Sequence, residues 1–145
     1  MQRRRVMIGL AALCAPLSAV RAQANGEKAM TGAETAAMLR GNWTVTMVED
    51  AEIPPGNPPR LTFGPDRLAG FAGCNDFDVT LSYGEDGALT IGPADWGQQA
   101  CGPVAMAMEA QVFLSLQLIN AVQFETQDRI ALSAFGAVRM TATRD

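Results

Sequence analysis

Two cysteines, a group of carboxylates and one isolated helical glutamate are the residues of this chain with chemistry to offer. Cys74 and Cys101 are the only cysteines beyond the first two dozen residues, and Cys14 lies in an apolar N-terminal run. Their spacing is not that of a C-x-x-C redox pair. In an oxidising compartment such a pair reads as a structural disulfide closing a loop of about 27 residues. A reactive thiol and two free buried thiols are the other readings.

Asp76 and Asp78 straddle Phe77 and fall on one side of an extended segment, with Glu85 and Asp86 in the next turn. Paired carboxylates serve acid/base work on glycosides or bind calcium. The calcium reading lacks the glycine and closing glutamate of an EF-hand loop, and on an acidic chain the simplest reading is a solvated rim. Glu109 is the odd residue, set between Leu116 and Phe113 on the apolar arc of a helix. A carboxylate there must find a hydrogen-bond donor. The expected donors are backbone amides near Cys74 and Asn75, or Trp43; a proton carrier is the functional alternative. Asn75, after Gly73 and Cys74, is suited to tie a bend to neighbouring backbone.

Histidine is absent, which removes the usual general base and the usual zinc ligand together. A Ser–Lys arrangement would have to use Lys28, the one lysine, in a polar lead-in. Gly70-x-x-Gly73 has no following helix and lysine, so it is no phosphate loop. No catalytic residue, cofactor or metal ligand is therefore assigned.

The elements that must position these residues begin after a targeting signal. Arg3, Arg4 and Arg5 precede an apolar run over residues 6–20 and the small-x-small pattern Ala22-Gln23-Ala24. This predicts a signal peptide over residues 1–24, too short for a comfortable membrane span, cleaved after Ala24 with Ala22 next. Leu13, before Cys14, is larger than the small residue a lipoprotein peptidase takes. A soluble periplasmic or secreted product is thus favoured over an outer-membrane lipoprotein. The chain after residue 24 keeps seven basic against fifteen acidic side chains, a formal net charge of 7 − 15 = −8. Such a surface repels phosphate backbones, which excludes nucleic acid as a partner.

Residues 25–40 read as a lead-in and a short helix, started by the capping box Thr31…Glu34 and ended by Gly41. Alternating segments at 43–48, 60–63, 67–72, 79–83 and 88–91 read as strands. The four prolines within 49–59 make that passage a loop, and Gly84-Glu85-Asp86-Gly87 a hairpin turn. Trp96, in a turn-rich passage, is expected to pack on the sheet. Residues 103–122 form the one long helix, with Met106, Met108, Val112, Phe113, Leu116 and Ile119 on a broad apolar arc. Leu114 and Leu118 make a second stripe, which predicts cover on another side by the short helix. Strands at 123–126, 130–133 and 138–143 finish the chain. The fold class is α+β, mainly β: a small curled antiparallel sheet or partly open barrel of seven to eight strands, with one long helix and a short N-terminal helix.

Trp43 opening the first strand, Gly73-Cys74-Asn75 after a glycine-punctuated strand, Phe77, Ala100-Cys101, and Glu109, Phe113 and Leu116 along a helix together resemble the META domain, the family that includes the HslJ heat-shock proteins. The likeness spans residues 41–145. Val79, Leu81 and Gly97 stand where the family often has glycine, an aromatic and threonine. The resemblance implies a small envelope protein with a bent sheet around a helix, no catalytic role, and a link to envelope stress. The leading expectation is a structural or protein-interacting role with an envelope partner. The alternative is a module binding a small apolar or lipid-like ligand in a cavity lined by Phe71, Leu81 and Phe113.

Overall fold

The computed structural model describes residues 28–145, so the expected leader lies outside it. Thr31 caps α1 (Gly32–Leu39) through the reciprocal bonds of a capping box: the Glu34 amide donates to Thr31 Oγ1 at 3.3 Å and the Thr31 amide to Glu34 Oε2 at 2.8 Å. Gly41, at φ +124°, then turns the chain into β1 (Gly41–Val48). The remaining elements are β2 (Ala51–Glu52), β3 (Arg60–Phe63), β4 (Arg67–Phe71), β5 (Asp76–Tyr83), β6 (Leu89–Ile91), β7 (Asp95–Trp96), α2 (Pro103–Leu118), β8 (Ala121–Thr126), β9 (Arg129–Ala134) and β10 (Ala137–Arg144).

Every strand pairing is antiparallel, in the order β6-β5-β4-β3-β1-β10-β9-β8, with β2 on β1 and β7 on β5. The two ends of this row meet where the Leu89 amide donates to the Asn120 carbonyl at 2.9 Å, so eight strands curl into a near-closed barrel. Inward residues of β1, β3, β4, β5, β9 and β10 fill it, and Val112, Phe113, Leu116 and Ile119 bring one face of α2 into the same core.

Several boundaries differ from expectation for identifiable reasons. Glu49 and Asp50, at φ 47° and 65°, make a tight turn that folds β2 back on β1 inside the proline-rich passage. β5 begins at Asp76 because Phe77, Val79 and Leu81 point inward from that residue on; the outward carboxylates had given it the look of a loop. α2 stops at Leu118, short of Val122. The Ile119 backbone is extended (ψ 126°) and the Asn120 amide bonds to the Ser133 carbonyl at 3.0 Å, which commits Ala121 and Val122 to β8.

The expected second cover on α2 is not there among the described residues. Leu114 and Leu118 are 63% and 43% exposed, and Met106, expected on the core-facing arc, is 48% exposed because it falls at the rim of that arc. α1 packs instead beside β5, and its carbonyl at Leu39 accepts from Trp43 Nε1 at 2.7 Å. The contact is close: a Cβ on Gly32 would fall 2.2 Å from the Gly84 carbonyl oxygen, so only glycine fits. No helix among the described residues is long and apolar enough to cross a membrane.

Candidate functional site

Cys74 and Cys101 are joined by a disulfide, their Cα atoms 5.9 Å apart. Beside it, Asn75, 5% exposed, ties three segments together. Its amide donates to Glu109 Oε2 at 2.6 Å and its side-chain Nδ2 to the same oxygen at 3.0 Å. Its Nδ2 also donates to the Gln99 carbonyl at 3.2 Å, and its Oδ1 accepts from the Gln99 amide at 2.8 Å. The bend before β5, the extended stretch 97–102 and the first half of α2 are thereby held to one another. Gly73, at φ +116°, lets α2 approach, since a Cβ there would sit 3.0 Å from Met108 Cγ. Gly97 is equally constrained: its Cβ would lie 2.7 Å from Asn75 Oδ1.

Of the two donor sets weighed for Glu109, the geometry selects Asn75; Trp43 spends its indole N–H on Leu39 and lies under the Arg144 guanidinium, 4.2 Å from the ring. Phe77 meets Phe113 edge-on at 5.7 Å, and Leu116 is buried in the core. Trp96, expected on the sheet, stacks instead on Phe113 at 4.5 Å and stays 42% exposed. Its short strand β7 pairs with β5 and carries the indole over the helix.

The carboxylates do not converge. Asp78 pairs with Arg67 across the sheet, Asp76 is exposed on the same face, and Asp86 Oδ1 accepts from the Ala88 amide at 3.1 Å, closing its own turn. Among the described residues no group of three or more His, Cys, Asp or Glu side chains could hold a metal ion.

The ligand cavity expected around Phe71, Leu81 and Phe113 is not formed by those residues. Leu81 and Phe113 are 3% and 7% exposed within the packed core, and Phe71 lies against the outward-facing Arg60, 5.7 Å from the ring. Space is found outside the barrel, where the proline-rich loop faces the start of α2. Ile53, Pro54 and Pro59 form one wall, Val104, Ala105 and Met108 the other, and Gly73 and Gly102 lie between, in an open groove of about 480 Å³. Among the described residues, Asn57 is its one polar side chain and no charged residue lines it. Both half-cystines abut this groove, Cys74 through Gly73 and Cys101 through Gly102. The disulfide thus ties the floor at Gly73 to the α2 wall at Gly102.

A family model for the META domain matches residues 36–145. The chain belongs to the META domain family. Two solved structures are similar in fold: an NMR structure of a protein from Burkholderia xenovorans, with TM-score 0.64 and 20% identity over 98% of each chain, and a second NMR structure, with TM-score 0.58 and 18% identity over 75% of this chain and 92% of that one. At such identities they speak for the fold alone. No curated protein matches.

This META domain also carries a polar cluster that sequence reading missed. Glu49, in the turn after β1, accepts from the buried Ser115 hydroxyl at 2.7 Å and from Arg139 NH1 at 2.8 Å, so one carboxylate joins β1, α2 and β10. Only the inward position of Ser115 on the helical arc hinted at it. The Ser115 bond first, and Arg139 second, hold the Glu49 carboxyl below its ordinary value of 4.5. A carboxyl depressed by folding contributes stability above its unfolded pKa, which is lost as pH falls through the folded one. Thermal melts from neutral pH into the acid range are therefore expected to fall more steeply for the wild type than for Glu49→Gln. Parallel curves would show that the cluster has no part in acid sensitivity.

Proposed function

We propose that this META domain is a non-catalytic binding module of the cell envelope, and that the groove between the proline-rich loop and α2 takes a small, uncharged apolar or lipid-like molecule. The observation that carries the reading is the groove's lining. Its volume of about 480 Å³ lies in the range of small-molecule sites. Rigid prolines on one wall and, on the other, a helix whose start a disulfide ties to the floor at Gly73 preform it and limit the ordering cost of binding. The absence of charged side chains from that lining selects against ionic ligands. Envelope placement rests on the expected leader, and an association with stress tolerance on family resemblance.

The test is direct. Native mass spectrometry of the protein from its own periplasm would report signal cleavage, lipidation, the disulfide and any retained ligand. In vitro, a neutral naphthylamine dye should bind the purified protein, and Ala105→Asp should weaken it by at least about tenfold, or about 1.4 kcal/mol, since the ligand would then desolvate a charge. An aspartate in a first helical turn is well placed, so the melting temperature should hold. Dye binding indifferent to Ala105→Asp would remove the groove from consideration.

A further inference from the structure

On the outer face of the barrel, strand alternation lays down two rows of side chains. Thr44, Arg60, Phe71 and Asp76 face one another across β1, β3, β4 and β5, and Asn42, Thr62 and Ala69 form the neighbouring row. The small side chain of Ala69 leaves a trough of about 480 Å³ there, which Asp145 also borders. Arg60 is the residue out of keeping. Arg67, Arg129, Arg139 and Arg144 each pair with a carboxylate, yet Arg60 has no ion pair among the described residues although Asp76 and Asp145 line the same trough. The reason is geometric. Phe71 stands between Arg60 and Asp76 in the row and takes the guanidinium over its ring, 5.7 Å from the centre, while Asp145 accepts from the Thr44 hydroxyl. One cation and two anions are thus held apart around an open space. Asn42 adds a donor: its Oδ1 accepts from the Thr62 hydroxyl at 2.9 Å, which leaves its Nδ2 hydrogens unspent among the described residues.

We propose that this trough binds a basic amino acid, its α-carboxylate on the Arg60 guanidinium and its two ammonium groups on Asp76 and Asp145. The occupant follows from the charges. The lining carries one positive and two negative side chains, and a basic amino acid carries the opposite set. A guanidinium offers a carboxylate two parallel hydrogen bonds, and charge assistance makes them strong for their kind. A simple carboxylic acid would meet both aspartates with like charge, a diamine would do the same to Arg60, and a neutral sugar has no use for the separation of signs. Arg60, Asp76 and Asp145 are all exposed, so each ion pair is screened by water. The dissociation constant is therefore on the order of 0.1–1 mM. The trough shares no lining residue with the apolar groove, so this inference is independent of the function proposed above.

Isothermal titration calorimetry of the purified protein with L-lysine, cadaverine and L-norleucine tests it, at low salt, where exposed charges are least screened. Lysine should bind. Cadaverine, which lacks the carboxylate, and norleucine, which lacks the side-chain amine, should bind at least about tenfold more weakly. Arg60→Gln should bring lysine down to the level of cadaverine without weakening cadaverine, and Asp76→Asn should weaken both. The two substitutions fall on outward positions, so both variants should melt with the wild type. Failure of lysine to bind at about 10 mM would overturn the proposal. So would cadaverine or norleucine matching lysine, or lysine binding indifferent to Arg60→Gln. Binding of D-glucose that Arg60→Gln abolishes, with lysine silent, would assign the trough to neutral sugars, against the proposal.

Discussion

Replacing Cys74 and Cys101 together by serine is expected to lower the unfolding free energy by about 3–4 kcal/mol in the chain-entropy estimate. The bond links residues 27 apart in sequence, and without it the unfolded chain regains the freedom of that loop. The native side loses a tie as well. The stretch 97–102 is otherwise held near the bend before β5 by the paired bonds between Asn75 and Gln99. Guanidinium unfolding under oxidising conditions measures the effect, and a reductant should bring the wild type to the stability of the variant. Coincident curves for oxidised wild type and variant would show that the pair does not hold the fold.

Replacing Glu109 by leucine should cost about 3 kcal/mol, and by glutamine only about 1 kcal/mol. The carboxylate accepts from both the amide and the side chain of Asn75, and Asn75 is buried. Leucine suits the apolar surroundings better than either alternative, yet it leaves the amide and part of the side chain without an acceptor. A glutamine oxygen can still take the amide hydrogen. Urea unfolding of the three proteins gives the order glutamate, glutamine, leucine; leucine equal to or above glutamine would mean that apolar packing outweighs the polar tie.

Much of the architecture was legible because its signals are local. The Thr31 and Glu34 cap, the Gly84–Gly87 turn, Pro103 at the start of α2 and the alternation in β3 are each set by neighbours in sequence. Glu109 stood out as polar among apolar neighbours, and its donor lay in one of the two places weighed. What escaped depends on contacts between distant segments. The end of α2 is decided by the Asn120 bond to Ser133, and β7 by pairing with β5. The Glu49, Ser115 and Arg139 cluster unites residues that are unremarkable one at a time. The groove went unseen because the prolines that form its wall carry a loop signal and no contact signal. The cavity anticipated inside the barrel fails on volume, since the inner faces of the strands and of α2 already fill that space.

The meeting of β6 and β8 leaves the sheet with less open edge. A sheet of ten strands laid open would offer solvent two rows of unpaired amides and carbonyls, each a template for foreign β-strands. Here the outermost strands are turned toward each other, touching at Leu89 and Asn120 and facing Ala29 and Met30 across the remaining gap. The surface open to stray strand addition, the first step toward fibrils, is thereby reduced.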